Sequence, residues 1–127
     1  MITERRRHPR QEALNLLDYV IVDEQGRQGA YSMGRTLNVT EEGLLMETHI
    51  PLEKGQQVII TLGLKDQLID VLGRIVHTKY TAGRYQNGIA FSRLSETDRS
   101  ILDAYMAAFH TRYPASGVVF PPPHSPD

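Results

Sequence analysis

Arg5, Arg6, Arg7 and Arg10 fall within one stretch of six residues, RRRHPR, immediately ahead of the first hydrophobic segment of the chain. A guanidinium stays charged at any physiological pH and presents a planar fork of N–H donors, so the chemistry this cluster offers is anion capture. Residues 1 to 12 set those four arginines against Glu4 and Glu12, a local charge of +2, which leaves −3 for the rest of a chain whose net charge is −1. A protein that coats nucleic acid spreads Lys and Arg over a face and raises the pI of the whole domain. Here the pI is about 6.5, which favours a small, concentrated anion over a polymer. On composition alone, a solvated terminal tail is an equal reading of the same cluster.

Other chemistries find little support. With no cysteine there are no disulfides, no thiolate metal sites and no Cys nucleophile. The histidines at 8, 49, 77, 110 and 124 show no metal-ligand spacing. There is no GxSxG elbow, P-loop or dinucleotide fingerprint, and the carboxylates are scattered. Neither an enzyme nor a metalloprotein is expected. An RNA-binding barrel would want a broad basic face with exposed aromatics, whereas only nine aromatics occur and the body is acidic. No apolar run is long enough to span a bilayer, and no apolar core follows the arginines as in a secretory signal, so a cytoplasmic location without membrane insertion is expected. The Asn38-Val39-Thr40 sequon is then not a glycosylation site.

The elements that must position the arginines read mainly as strands. A chain of 127 residues with 40% hydrophobic and 23% charged residues suits one globular domain with a real core. Leu14 to Asp23 is rich in β-formers and ends at the turn-like Glu24-Gln25-Gly26. Gly26 to Gly34 reads as a loop, followed by short extended segments at Arg35 to Val39 and Leu44 to Thr48 around Gly43. Beyond the turn at Pro51 to Gly55, Val58, Ile60, Leu62 and Leu64 alternate with other residues at period two. Leu68 to Thr78 continues the pattern, with Gly73 suggesting a bulge or a tight barrel bend, and Tyr85 to Ser92 closes the set. Ser95 and Asp98 then form a capping-box-like pair, and Ile101, Leu102, Tyr105 and Phe109 share one helical stripe. The expected fold is mainly β: a small six-stranded antiparallel barrel with a C-terminal α-helix. Closure removes the exposed edges of so small a sheet, and the narrow interior forces any ligand to the outside. The organisation expected is an Arg-rich ligand-binding arm at 1–12, a barrel with its closing helix at 13–112, and a Pro-rich tail without regular structure at 113–127.

Arg6-x-x-x-Arg10, preceded by Arg5 and followed by Asn38-x-Thr40-x-x-Gly43, resembles the two-part signature of PilZ domains, RRxxxR and then (D/N)xSxxG. The Pro51 to Gly55 turn, Gly73-Arg74-Ile75-Val76, Gly88-Ile89-Ala90-Phe91 and the closing helix resemble the family too, over roughly residues 4 to 112. The resemblance implies a PilZ-like split barrel and a receptor for the bacterial second messenger cyclic di-GMP, with no cofactor beyond that ligand. The chemistry agrees, since a guanidinium fork matches the paired N7 and O6 acceptors of guanine and also binds phosphodiester oxygens.

Arg5, Arg6, Arg10, Asn38, Thr40 and Gly43 are the ligand residues the pattern implies. Arg7 and His77 are further candidates, His77 lying where the family often has an aromatic. Asn38 offers donor and acceptor, Thr40 a hydroxyl where the family more usually has serine, and Gly43 room for close approach. Taken singly, these three are also ordinary turn and bend residues. Arg5 adds a charge beyond those needed for one messenger molecule, and the resemblance to the family implies that such a site takes an intercalated ligand dimer. By family analogy the output runs through a protein partner in motility, pilus or exopolysaccharide machinery linked to biofilm formation. The alternative function is a ligand-independent PilZ-like interaction module. Neither the partner nor the oligomeric state is written in the sequence.

Overall fold

In the computed structural model, residues 14–64 and 66–114 are described; the expected arm at 1–12 and the expected tail beyond Pro114 lie outside them. Among the described residues six strands and one helix follow in order: β1 (Leu16–Val22), β2 (Ser32–Val39), β3 (Gly43–Thr48), β4 (Gln57–Leu64), β5 (Gln67–Thr81), β6 (Arg84–Phe91) and α1 (Glu96–Arg112). All pairings are antiparallel, and β1 pairs with both β2 and β4, closing a barrel of order β1-β2-β3-β6-β5-β4.

Period-two alternation builds the core. Val58, Ile60 and Leu62 of β4 point inward, as do Ile69, Val71 and Ile75 of β5, and they meet Leu17, Tyr19, Val39, Leu44, Met46 and Ile89. Helix α1 completes this core with Leu102, Tyr105 and Phe109. Its N-terminus is capped by Ser95, whose Oγ accepts from the Asp98 N–H at 3.0 Å, while Glu96 and Asp98 sit favourably at the positive end of the helix dipole. The helix is also pinned by polar contacts. The Tyr105 hydroxyl donates to the Leu14 carbonyl oxygen at 3.1 Å and lies 3.3 Å from Thr36 Oγ1, and the Tyr113 hydroxyl donates to Asn15 Oδ1 at 3.2 Å.

Three features depart most from expectation. Strand β2 begins at Ser32 rather than Arg35, because the turn after β1 is tight: Asp23 Oδ1 accepts from the N–H groups of Gln25 and Arg27, and Gly26 takes a left-handed φ of 81°. Gly34 thus falls inside the strand, where a Cβ would stand 3.1 Å from the Met46 side chain. Strand β5 runs on to Thr81 and turns through Ala82 and Gly83, both at positive φ, the geometry a two-residue hairpin needs. An alanine at φ 51° is an unusual residue for that turn, so the sequence gives no warning of it. The bulge in β5 falls between Ile75 and His77 rather than at Gly73. Gly73 stays in register opposite Phe91, and its bare Cα leaves space for Ile89 Cγ2, which would lie 2.6 Å from a Cβ there.

Burial pushes the Tyr105 phenol up to about 12, while its hydrogen bond with Thr36 acts the other way. The folded state therefore holds this proton more tightly than the unfolded chain, whose tyrosine titrates near 10. The stabilisation is complete below pH 10 and is lost as pH rises through 12, at up to about 1.4 kcal/mol per pH unit. Urea unfolding midpoints measured from pH 9 to 12 should fall more steeply for the native chain than for Tyr105→Phe. The variant should itself be less stable at pH 8 by about 1 kcal/mol, through loss of the bond to Leu14.

Candidate functional site

Strict alternation would hide the two residues singled out on β2 and β5. Thr36 is buried on the core side of β2, so Asn38, two residues on, would also face inward; Ile75 and His77 on β5 stand in the same relation. A β-bulge interrupts each strand at this step. The register jumps from Thr36↔Met46 to Asn38↔Leu45, with Leu37 as the extra residue, and from Ile75↔Ile89 to His77↔Gly88, with Val76 as the extra residue. Val39 accordingly returns to the core while Asn38 turns out to the rim of the site, half-buried, and His77 is exposed.

The two bulges lie at opposite ends of a single row. Asn38 pairs with Leu45, Leu45 with Gly88, and Gly88 with His77, so the row crosses β2, β3, β6 and β5 on the outer face of the barrel. Three strand spacings make it about 14 Å long. Its floor is Leu45 and Gly88, and the His77 imidazole lies over Gly88 in the space where a Cβ would otherwise sit. One flanking row holds Arg35, Glu47, Gln86 and Lys79. There Glu47 pairs with Arg35 at 2.7 Å and stands 3.8 Å from Arg84, whose guanidinium is 3.4 Å from His49.

Thr40 and Gly43 shape the turn that leads into this face. The Thr40 N–H donates to the Gly43 carbonyl at 2.8 Å, and Thr40 Oγ1 accepts from the N–H groups of Glu42 at 3.2 Å and Gly43 at 3.3 Å. The hydroxyl is thus engaged within the turn. A Cβ on Gly43 would overlap the carbonyl oxygen of Ile89, so β3 and β6 pack here backbone to backbone. Arg99 of α1 donates to the Glu41 carbonyl at 2.9 Å, and the Phe91 N–H donates to the Glu42 carbonyl at 2.8 Å, which holds the turn from both sides.

Asn38 is oriented by its own partners. Its Oδ1 accepts from the Val39 N–H at 2.9 Å and lies 3.3 Å from His110 Nε2. Arg5, Arg6, Arg7 and Arg10 lie outside the described residues. What is described is the root of their segment: the Asn15 carbonyl accepts from the Thr36 N–H at 2.7 Å, two residues from Asn38 on the same strand. Of the predicted residues, then, Asn38 and His77 share one row, while Thr40 and Gly43 build the adjoining turn. Leu45, His110 and Arg99 were not singled out by sequence reasoning, and a lone helical histidine offers no pattern by which to find it.

A closed six-stranded antiparallel barrel with one C-terminal closing helix is the architecture of the PilZ type. The family model for the PilZ domain matches residues 4–108, and the chain belongs to that family. PilZ domains are binding and adaptor modules whose general role is reception of cyclic di-GMP. Two solved structures share the fold. The PilZ domain of CeSA from a cellulose-synthesizing bacterium matches with a TM-score of 0.53 at 15% identity, over 76% of this chain and 96% of that one. MrkH of K. pneumonia in its apo state matches with a TM-score of 0.57 at 11% identity, over 76% of this chain and 47% of that one. No match was found among curated proteins.

The two glycines of this face should respond differently to alanine. At Gly88 the atoms nearest the added methyl belong to the imidazole of exposed His77, which can swing away, so Gly88→Ala should cost under about 1 kcal/mol. At Gly43 it meets backbone, and the cost should be on the order of 2 kcal/mol or more, a fall of roughly 8 °C or more in Tm. Thermal unfolding of the two variants side by side checks the contrast.

Proposed function

We propose that this chain is a cyclic di-GMP receptor in which Arg5, Arg6 and Arg10 close over ligand held against the Asn38-Leu45-Gly88-His77 row. The observation that carries the reading is the pair of bulges that turn Asn38 and His77 to the same outer face, beside the anchored root of the arginine segment. Arg10 precedes Asn15 by five residues, and five extended residues reach about 17 Å, enough to cover a row of about 14 Å. In this reading the guanidinium forks take guanine edges and phosphates, and His77 supplies an imidazole face for stacking. Arg7 adds a phosphate contact. Thr40 and Gly43 contribute through the shape of the turn. The arm's arginines carry more positive charge than the two phosphodiester charges of one messenger, and by family analogy such a site takes two copies.

The signal would arise from the difference in ligand affinity between free-arm and docked-arm states, passed to a protein partner. Partners in motility, pilus or exopolysaccharide machinery are the candidates by family analogy.

Isothermal titration with cyclic di-GMP tests the site. Arg6→Ala and Arg10→Ala should each lose about 1.5 to 3 kcal/mol, weakening binding tenfold or more. Unchanged affinity in both would remove the arginine arm from the site, and absence of binding by the native chain would favour a ligand-independent interaction module. The native chain should bind two ligand molecules; a stoichiometry of one would rule out the dimer.

A further inference from the structure

The Val39 N–H can only donate, so the Asn38 atom facing it at 2.9 Å is necessarily the carbonyl oxygen Oδ1. His110, in the last turn of α1, places Nε2 3.3 Å from that same oxygen. With Oδ1 fixed as the acceptor, this contact is a hydrogen bond when Nε2 carries the proton. Both donors converge on Oδ1, and the amide nitrogen Nδ2 is turned away from them and donates to none of the described residues. An asparagine on an unconstrained strand rotates broadly about its last torsion and can present either end of the amide. Here the backbone holds one lone-pair direction and the helix holds the other.

His110 is itself well placed to act as a fixed donor. Phe109 meets its imidazole edge-on at 5.7 Å with an interplanar angle of 76°. The helix beneath it is tied to the barrel through Arg99 on the Glu41 carbonyl, Tyr105 on the Leu14 carbonyl and Tyr113 on Asn15 Oδ1. We infer that His110 is a positioning residue of the ligand site: it locks the Asn38 amide with Nδ2 outward, so that position 38 recognises an acceptor atom of the ligand. A guanine O6 or N7, or a phosphate oxygen, fits that donor, whereas the N1–H and N2–H groups of guanine do not. This rests on the cyclic di-GMP reading and adds to it the polarity of one contact and the residue that sets it.

His110→Gln keeps an N–H donor at similar reach, and His110→Leu removes it. In titrations with cyclic di-GMP, His110→Leu should bind about three- to tenfold more weakly than the native chain, and His110→Gln should lie within twofold of it. On an Asn38→Leu background, His110→Leu should cost nothing further. In ligand-free protein, the Asn38 side-chain amide resonances in a ¹⁵N spectrum should shift in His110→Leu and return in His110→Gln. Binding by His110→Leu within twofold of native, equal weakening by the glutamine and leucine variants, or Asn38 resonances indifferent to both would overturn the inference. If the native chain binds no cyclic di-GMP, the functional reading fails by itself, and the amide resonances still decide whether His110 orients Asn38.

Discussion

Strand alternation is the constraint on which the outer face depends. A six-stranded barrel has an interior filled by its own side chains, so every second residue of each strand is committed to the core and the remainder must supply any function. On β2 the commitment runs through Gly34 and Thr36, and on β5 through Val71, Gly73 and Ile75. Continued unbroken, both series would bury Asn38 and His77. One extra residue in each strand, Leu37 and Val76, resets the phase, and because Leu45 and Gly88 link the two rephased positions the result is one row with a polar side chain at each end. The bulges give up two ladder pairings and in exchange present two side chains that the pattern alone would hide.

Helix α1 serves this face as well as the core. Its apolar stripe of Leu102, Tyr105 and Phe109 is what any closing helix would need. Its polar contacts are more particular, reaching the β2–β3 turn at Glu41, the strand at Thr36 and Asn38, and the root of the arginine segment at Leu14 and Asn15. The Asn38 to Gly43 half of the signature and the described residues Leu14 and Asn15 are thereby held to one helix.

Much of the architecture was legible beforehand. Alternation located β4 and most of β5, the Ser95 and Asp98 pair located the helix start, and of the helical stripe Leu102, Tyr105 and Phe109 are buried while Ile101 is half-buried. The early start of β2 and the Ala82-Gly83 turn were missed because each depends on a conformation the residues tolerate without preferring: a glycine within a strand, and an alanine at positive φ. The motif spacing singled out Asn38, Thr40 and Gly43, yet spacing could not show the local structure in which each takes part. Thr40 and Gly43 belong to the turn through hydrogen bonds and a backbone contact that exist only once β3 lies against β6.

The sequence by itself determined the local quantities: the charge concentrated in the first twelve residues, the strand and helix periods, the capping residues, and the motif that marks the PilZ family. These depend on neighbours along the chain. Tertiary structure decided which way the marked residues face, that Asn38 and His77 share a row, and that His110 meets Asn38 from 72 positions away. Such facts depend on register between strands and on the docking of a helix, where one added residue reverses every side chain beyond it.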